Sequence, residues 1–155
     1  MQKNNHGFTL IELVIVIIIL GILSATAIPQ FINLGSDARV AKLESLEGSM
    51  RSASNLVNSK ARIENKTDCL TDPTIEAQGE LITLRCGYPC PHQHGIARAV
   101  DADDSFEWIG GNCGGLQGAI DVQISDAPDP SSCQIHYTSA KSNQPPGLSI
   151  KTTGC

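Results

Sequence analysis

Hydrophobic residues fall into distinct patterns along this chain. Residues 8–28 are almost uninterruptedly apolar, broken only by Thr9, Glu12, Ser24 and Thr26. Beyond Pro29 the apolar positions narrow to a stripe: Leu43, Leu46, Met50, Ala53, Val57 and Ala61 recur three or four apart, with Lys42, Glu44, Glu47, Arg51 and Lys60 largely elsewhere. That spacing predicts one amphipathic helix continuing to about Arg62. Apolar and polar residues then alternate over short runs at 80–85, 119–125, 134–139 and 147–152, which predicts strands, with one short helix expected at 94–100. Turns are marked by Gly110 with Gly111, Gly114 with Gly115, Pro128, Pro130, and Pro145 with Pro146. With no helical pattern between the later strands, an antiparallel meander is expected rather than a parallel sheet. The fold class predicted is α+β: a long N-terminal helix packed on an antiparallel sheet of about four strands.

The first apolar run is long enough, at about 1.5 Å of rise per residue, to cross roughly 30 Å of hydrocarbon as a helix. Lys3 precedes it and no acidic residue does, so the N-terminus is expected on the cytoplasmic side and the body on the other. A cleaved secretory signal is the competing reading, since Ala25, Thr26 and Ala27 fit a small-x-small cleavage pattern. The run is longer than the roughly 7–15 residues of such a core. A plain anchor is the other competitor, and neither explains Glu12. A carboxylate in hydrocarbon costs at least a few kcal/mol unless it is paired. No Lys, Arg or His lies between Phe8 and Pro29. Cleavage between Gly7 and Phe8 would create a positive amine one helical turn from Glu12. A helix points that amine poorly toward its own carboxylate, so pairing between neighbouring subunits is the better solution. Glu12 then sets axial register, as buried polar groups do in coiled coils. Pro29 removes a backbone donor and Gly21 lowers helix propensity by about 1 kcal/mol, so the stretch between them is expected to be the weakest part of the helix, with a kink at Pro29 in the isolated subunit.

Composition adds less. Net charge is −5, which gives no basic face for nucleic acid, and aromatic residues are only 4%. Six cysteines (Cys69, Cys86, Cys90, Cys113, Cys133 and Cys155) all follow the apolar run, as expected of disulfides in an oxidising space. Cys86, Cys90, His92 and His94 are close enough in sequence to suggest zinc, but their spacing matches no standard finger, and no metal or other cofactor is expected. Asp101, Asp103 and Asp104 lack the Gly and distal Glu of a calcium loop and read as a solvated turn. His92, His94 and His136 belong to no nucleophile motif, so no catalytic residue is assigned.

The segment GFTLIEL after a short basic leader resembles the N-terminus of type IV pilins and of type II secretion pseudopilins. Gly7 stands before the cut, Phe8 after it, Glu12 at the acidic position, and Pro29 at the end of the run. The resemblance implies cleavage of leader 1–7 at Gly7–Phe8 by a prepilin peptidase and N-methylation of Phe8. It also implies a membrane and filament-core helix at 8–28, its amphipathic continuation at 29–62, and a disulfide-bonded head at 63–155. Phe8 and Glu12 become the assembly residues, and the weak stretch between Gly21 and Pro29 melts locally in the filament. Implied partners are other copies of the chain, the peptidase, and an inner-membrane platform driven by a cytoplasmic ATPase. The chain is implied to move from inner membrane to surface fibre. A Cys133–Cys155 bridge matches the C-terminal loop of pilins. Cys69, Cys86, Cys90 and Cys113 then pair among themselves or stay free, with Cys69–Cys86 and Cys90–Cys113 preferred. Within the short-leader class, Gly87-Tyr88-Pro89, Trp108, the stretch Cys133 to Thr138, and Gly154-Cys155 resemble mannose-sensitive haemagglutinin (MSHA) pilins, with the four central cysteines a departure. A pseudopilin is the alternative, and an exported metal- or thiol-dependent protein the remote one.

Overall fold

The computed structural model of the chain describes residues 9–114, 117–142 and 144–155, and of 27–33 the backbone alone. Two compact units are distinguished, Met1–Asp37 and Ala38–Cys155. Helix α1 (Leu10–Ile63) runs through both. It continues as helix through Gly21 and Pro29. One proline deletes one hydrogen bond of the ladder while the neighbouring turns keep theirs. The helix stops where Asn65 turns left-handed (φ 54°) and the Lys66 amide donates back to the Ala61 carbonyl at 2.8 Å.

In the first unit every large apolar side chain described between Leu10 and Leu23 is exposed, on all sides of the helix. Among the described residues no helix is long and apolar enough to cross a membrane. The described side chains of the run stop at Thr26, short of the roughly 20 residues that a span requires.

In the second unit the helical stripe divides its work between two sheets. Strands β1 (Thr74–Ala77), β2 (Glu80–Arg85) and β3 (Tyr88–Pro89) form one antiparallel sheet in the order β1-β2-β3. Its two tight turns each place a pair of residues at positive φ: Gln78 with Gly79, and Cys86 with Gly87. That conformation matches the right-handed twist of the strands it joins. After the short helix α2 (Ile96–Ala99), strands β4 (Phe106–Gly110), β5 (Ala119–Ile124), β6 (Gln134–Thr138) and β7 (Gly147–Lys151) form an antiparallel meander. Leu43, Leu46 and Met50 bury against the alternating inward residues of that meander: Ile120, Val122 and Ile124 on β5, and Ile135 and Tyr137 on β6. One register slip would turn all of these outward. Val57 and Ala61, two turns on, pack instead with Ile75, Ile82 and Leu84 of the three-stranded sheet.

The expected single sheet of about four strands is therefore the meander plus a second, smaller sheet. The predicted strand at 80–85 belongs to the smaller one, and β1, β3 and β4 were not anticipated. β3 has only two residues and β1 only four, too few for alternation to register. β4 ends on Gly110, which reads in sequence as a turn.

Candidate functional site

The N-terminal end of α1 is organised by two side chains. Thr9 and Glu12 stand in the T-x-x-E spacing of a capping box. The Thr9 amide donates to Glu12 Oε2 at 2.9 Å, the Thr9 hydroxyl donates to the same oxygen at 2.8 Å, and the Glu12 amide donates back to Thr9 Oγ1 at 3.3 Å. Two amides that a helix start leaves without partners are thereby satisfied. Sequence reasoning asked only what charge might neutralise Glu12 and overlooked this local pair, although the spacing displays it. One carboxylate oxygen, Oε1, takes no part in the box. The cleavage and methylation positions Gly7 and Phe8 lie outside the described residues, as do the side chain of Pro29 and residue Gly115. At Gly21, an added Cβ would meet nothing within 4 Å.

The head is held by three disulfides: Cys69–Cys86, Cys90–Cys113 and Cys133–Cys155. Among the described residues no cysteine is free. Cys86 and Cys90 are thus bonded elsewhere and do not join His92 and His94 as a ligand set. The two imidazoles lie 5.2 Å apart, tilted, and the His94 amide donates to His92 Nδ1. Asp103 accepts from Ser105, so the acidic turn at 101–104 closes on its own loop. His136 Nδ1 meets Asp121 Oδ1 at 2.6 Å across β5 and β6, and Ser149 on β7 stands opposite His136 in the register without a hydrogen bond to it among the described residues.

A residue that sequence reading passed over connects two of the disulfides. Arg85 is buried at the end of β2. Its Nη1 donates to the Cys69 carbonyl at 2.8 Å, while Nε and Nη2 donate to the Cys113 carbonyl at 3.2 and 2.9 Å. Asp72 balances the charge at 3.4 Å. The guanidinium thus joins one half of each bridge, a use of Arg's fixed fork that lysine does not match. Tyr137 has a similar role in the meander: its buried hydroxyl donates to the Pro89 carbonyl at 2.7 Å, linking the two sheets, and burial raises its pKa. At the last strand, Arg39 Nη1 donates to the Cys155 carbonyl at 3.0 Å, beside the Cys133–Cys155 bridge. None of these contacts has a signal in a single sequence, because each joins residues distant along the chain.

Residues 2–28 match the model of the prokaryotic N-terminal methylation motif. The chain is similar to the type IV major fimbrial protein FimA of Dichelobacter nodosus, 49% identical over 53 residues that cover 34% of each protein. It is also similar to the type IV narrow pilus major component PilA5 of Thermus thermophilus, 45% identical over 56 residues, 36% of this chain and 48% of that one. The matched segment is therefore about a third to a half of those relatives' length. A fimbrial protein of Dichelobacter nodosus aligns along 99% of this chain and 79% of its own length at 27% identity. No solved structure gives a significant match. The methylation motif at the start, the likeness of the N-terminal third to type IV fimbrial and pilus proteins, and a weaker likeness along the whole length make the chain similar to type IV pilins, with a long helix packed on antiparallel sheets.

Proposed function

We propose that this chain is the structural subunit of a type IV pilus, polymerising through residues 8–28 into a surface fibre used for attachment or motility. The observation that carries this reading is the first unit of α1, apolar on every side, exposed on every side, and carrying one carboxylate in its first turn. A helix apolar all round is stable only when lipid or other chains surround it. Lipid stores the subunit and neighbouring helices replace it in the fibre. The role is structural rather than catalytic.

In this scheme a prepilin peptidase removes residues 1–7 and methylates Phe8, and an inner-membrane platform with a cytoplasmic ATPase inserts the subunit. Glu12 is held in its capping box before assembly and then receives the Phe8 amine of a neighbour. The box keeps the carboxylate hydrogen-bonded to Thr9 during membrane storage, which lowers the desolvation cost of waiting. The stretch between Gly21 and Pro29 is helical in the single chain and melts in the fibre, where tension lengthens it. Residues 29–62 continue the helix into the head, and 63–155 complete it. The MSHA subgroup is the finer reading, supported by the residue resemblances at Gly87, Tyr88, Pro89 and Trp108.

The test is intact mass and N-terminal sequencing of protein sheared from cells, without reduction. A chain starting at methyl-Phe8, lighter by six hydrogens than its reduced form, supports the fibre subunit. A mature chain retained by the cells after shearing points to a pseudopilin. A chain starting at Ile28 indicates an ordinary secreted protein and removes the argument from Glu12.

A further inference from the structure

The turn between β2 and β3 adopts an uncommon backbone to hold one cation in place. Cys86 is a non-glycine residue at φ 53°, and Gly87 follows at φ 79°. A Cβ at Gly87 would stand 3.0 Å from Asn58 Nδ2 and 3.0 Å from Thr67 Cγ2. This close approach lets buried Asn58 donate to the Gly87 carbonyl at 3.1 Å. With its amide nitrogen committed, Asn58 presents Oδ1 to Arg62 Nε at 2.9 Å. The guanidinium of Arg62 is thus aimed from behind, and both of its Nη groups remain available for another partner.

Arg62 lines a cavity of about 330 Å³ walled by the Cys69–Cys86 bridge. Lys141 lines it too, with Tyr88, Thr67, Ser142 and Gln144 supplying hydroxyls and an amide. The backbone of Lys141 is braced by reciprocal hydrogen bonds with Gln144 at 3.2 and 2.9 Å. Among the described residues no carboxylate lines this cavity, and neither Arg62 nor Lys141 enters an ion pair. The contrast with the neighbourhood is direct: Lys60 and Lys66 both reach Glu64. In an acidic chain, two unneutralised cations on braced backbone around a polar concavity form an anion site whose cost is already met by the fold.

We propose that this cavity binds one acidic sugar unit, a uronate of an exposed polysaccharide. Arg62 and Lys141 take the planar carboxylate, for which the Arg fork is suited. Tyr88, Thr67, Ser142 and Gln144 take ring hydroxyls, and the volume suits a single small unit. A nucleic acid is disfavoured because tracking a phosphate backbone needs a basic stripe, and this site offers only one cation pair. The site belongs to the head and does not depend on polymerisation, so it can fail while the fibre reading stands.

The experiment is a titration of the full chain in detergent micelles with trigalacturonate, followed by calorimetry and by NMR shifts at Tyr88. Maltotriose, inorganic phosphate and oligothymidylate serve as comparison probes. The uronate is expected to bind, and maltotriose at least about tenfold more weakly. Arg62→Gln and Lys141→Gln are each expected to weaken uronate binding about tenfold. Lys141 is exposed in a loop, so its variant keeps the fold, and the disulfide count verifies this for both. Absence of uronate binding overturns the proposal. So does maltotriose, phosphate or oligothymidylate binding as tightly as the uronate, or uronate binding that is indifferent to Lys141→Gln in the folded protein.

Discussion

Helix α1 contains two regions of similar secondary structure and opposite circumstances. Residues 10–23 expose Ile, Leu and Val in every direction, and none of these large side chains is buried. From Leu43 to Ala61 the apolar residues keep to one stripe, and Leu43, Met50 and Ala61 are completely inaccessible to solvent. The second region has found its partners within the chain, in two sheets. The first has not, and its partners must come from outside. Apolar content alone therefore does not distinguish core from interface; the angular spread of apolar positions around the helix does.

The sharpest break of this comparison is at Glu12. Glu12→Val makes the first region uniformly apolar and removes the assembly charge, so fibres recovered by shearing are expected to fall to background. Thermal unfolding of the head, followed by circular dichroism, should not move. A head that loses stability with Glu12 would contradict the separation of the two regions.

Paired truncations measure the same contrast in energy. Met50→Ala should destabilise the chain by about 2–5 kcal/mol, since it opens a cavity between helix and meander. Ile17→Ala removes an exposed side chain and should change unfolding by less than about 0.5 kcal/mol. Equal effects in monomeric protein would mean that the first region packs within its own chain.

Arg85→Met tests what holds the head once its stripe is in place. It deletes the hydrogen bonds to the Cys69 and Cys113 carbonyls and leaves the exposed side of Asp72 to water. A loss of about 2–3 kcal/mol is expected, with mixed connectivity of the central disulfides in non-reducing peptide maps. Unchanged stability and connectivity would show that the two bridges suffice without the cation between them.

The smallest effect is electrostatic. The Leu70 amide, and after it the Thr71 hydroxyl, hold the Asp68 carboxylate below its ordinary pKa of 3.8. A group whose pKa is lower in the folded state stabilises above its unfolded pKa and loses that contribution as pH falls through the folded value. The head should therefore weaken slightly on acidification below pH 3.8, and Asp68→Asn should flatten that part of the profile in urea titrations. Asp129, whose partners are the Ser131 and Ser132 hydroxyls, shifts in the same direction, as do Asp103 and Glu64, and these groups share the residual slope.

Much of this was readable in sequence, for physical reasons that are local. The apolar run, the lone carboxylate at Glu12 and the stripe from Leu43 to Ala61 depend on side-chain periodicity, which a chain displays before it folds. The alternation in β5, β6 and β7 and the short helix α2 were legible in the same way. The Thr9–Glu12 capping box was equally local and was missed only because the question put to Glu12 was one of charge.

What remained belongs to the tertiary structure alone. The division of one stripe between two sheets depends on where β1 and β3 pair, and two- and four-residue strands carry too little periodicity to announce themselves. Arg85 between two disulfides, Tyr137 on Pro89, and Asn58 on the Gly87 carbonyl each join residues separated by many positions, so no short window of sequence contains both partners. The sequence determined which surfaces had to be covered. Only folding decided what covers them within this chain, because burial is settled by long-range pairing, and it left residues 10–23 for another molecule to cover.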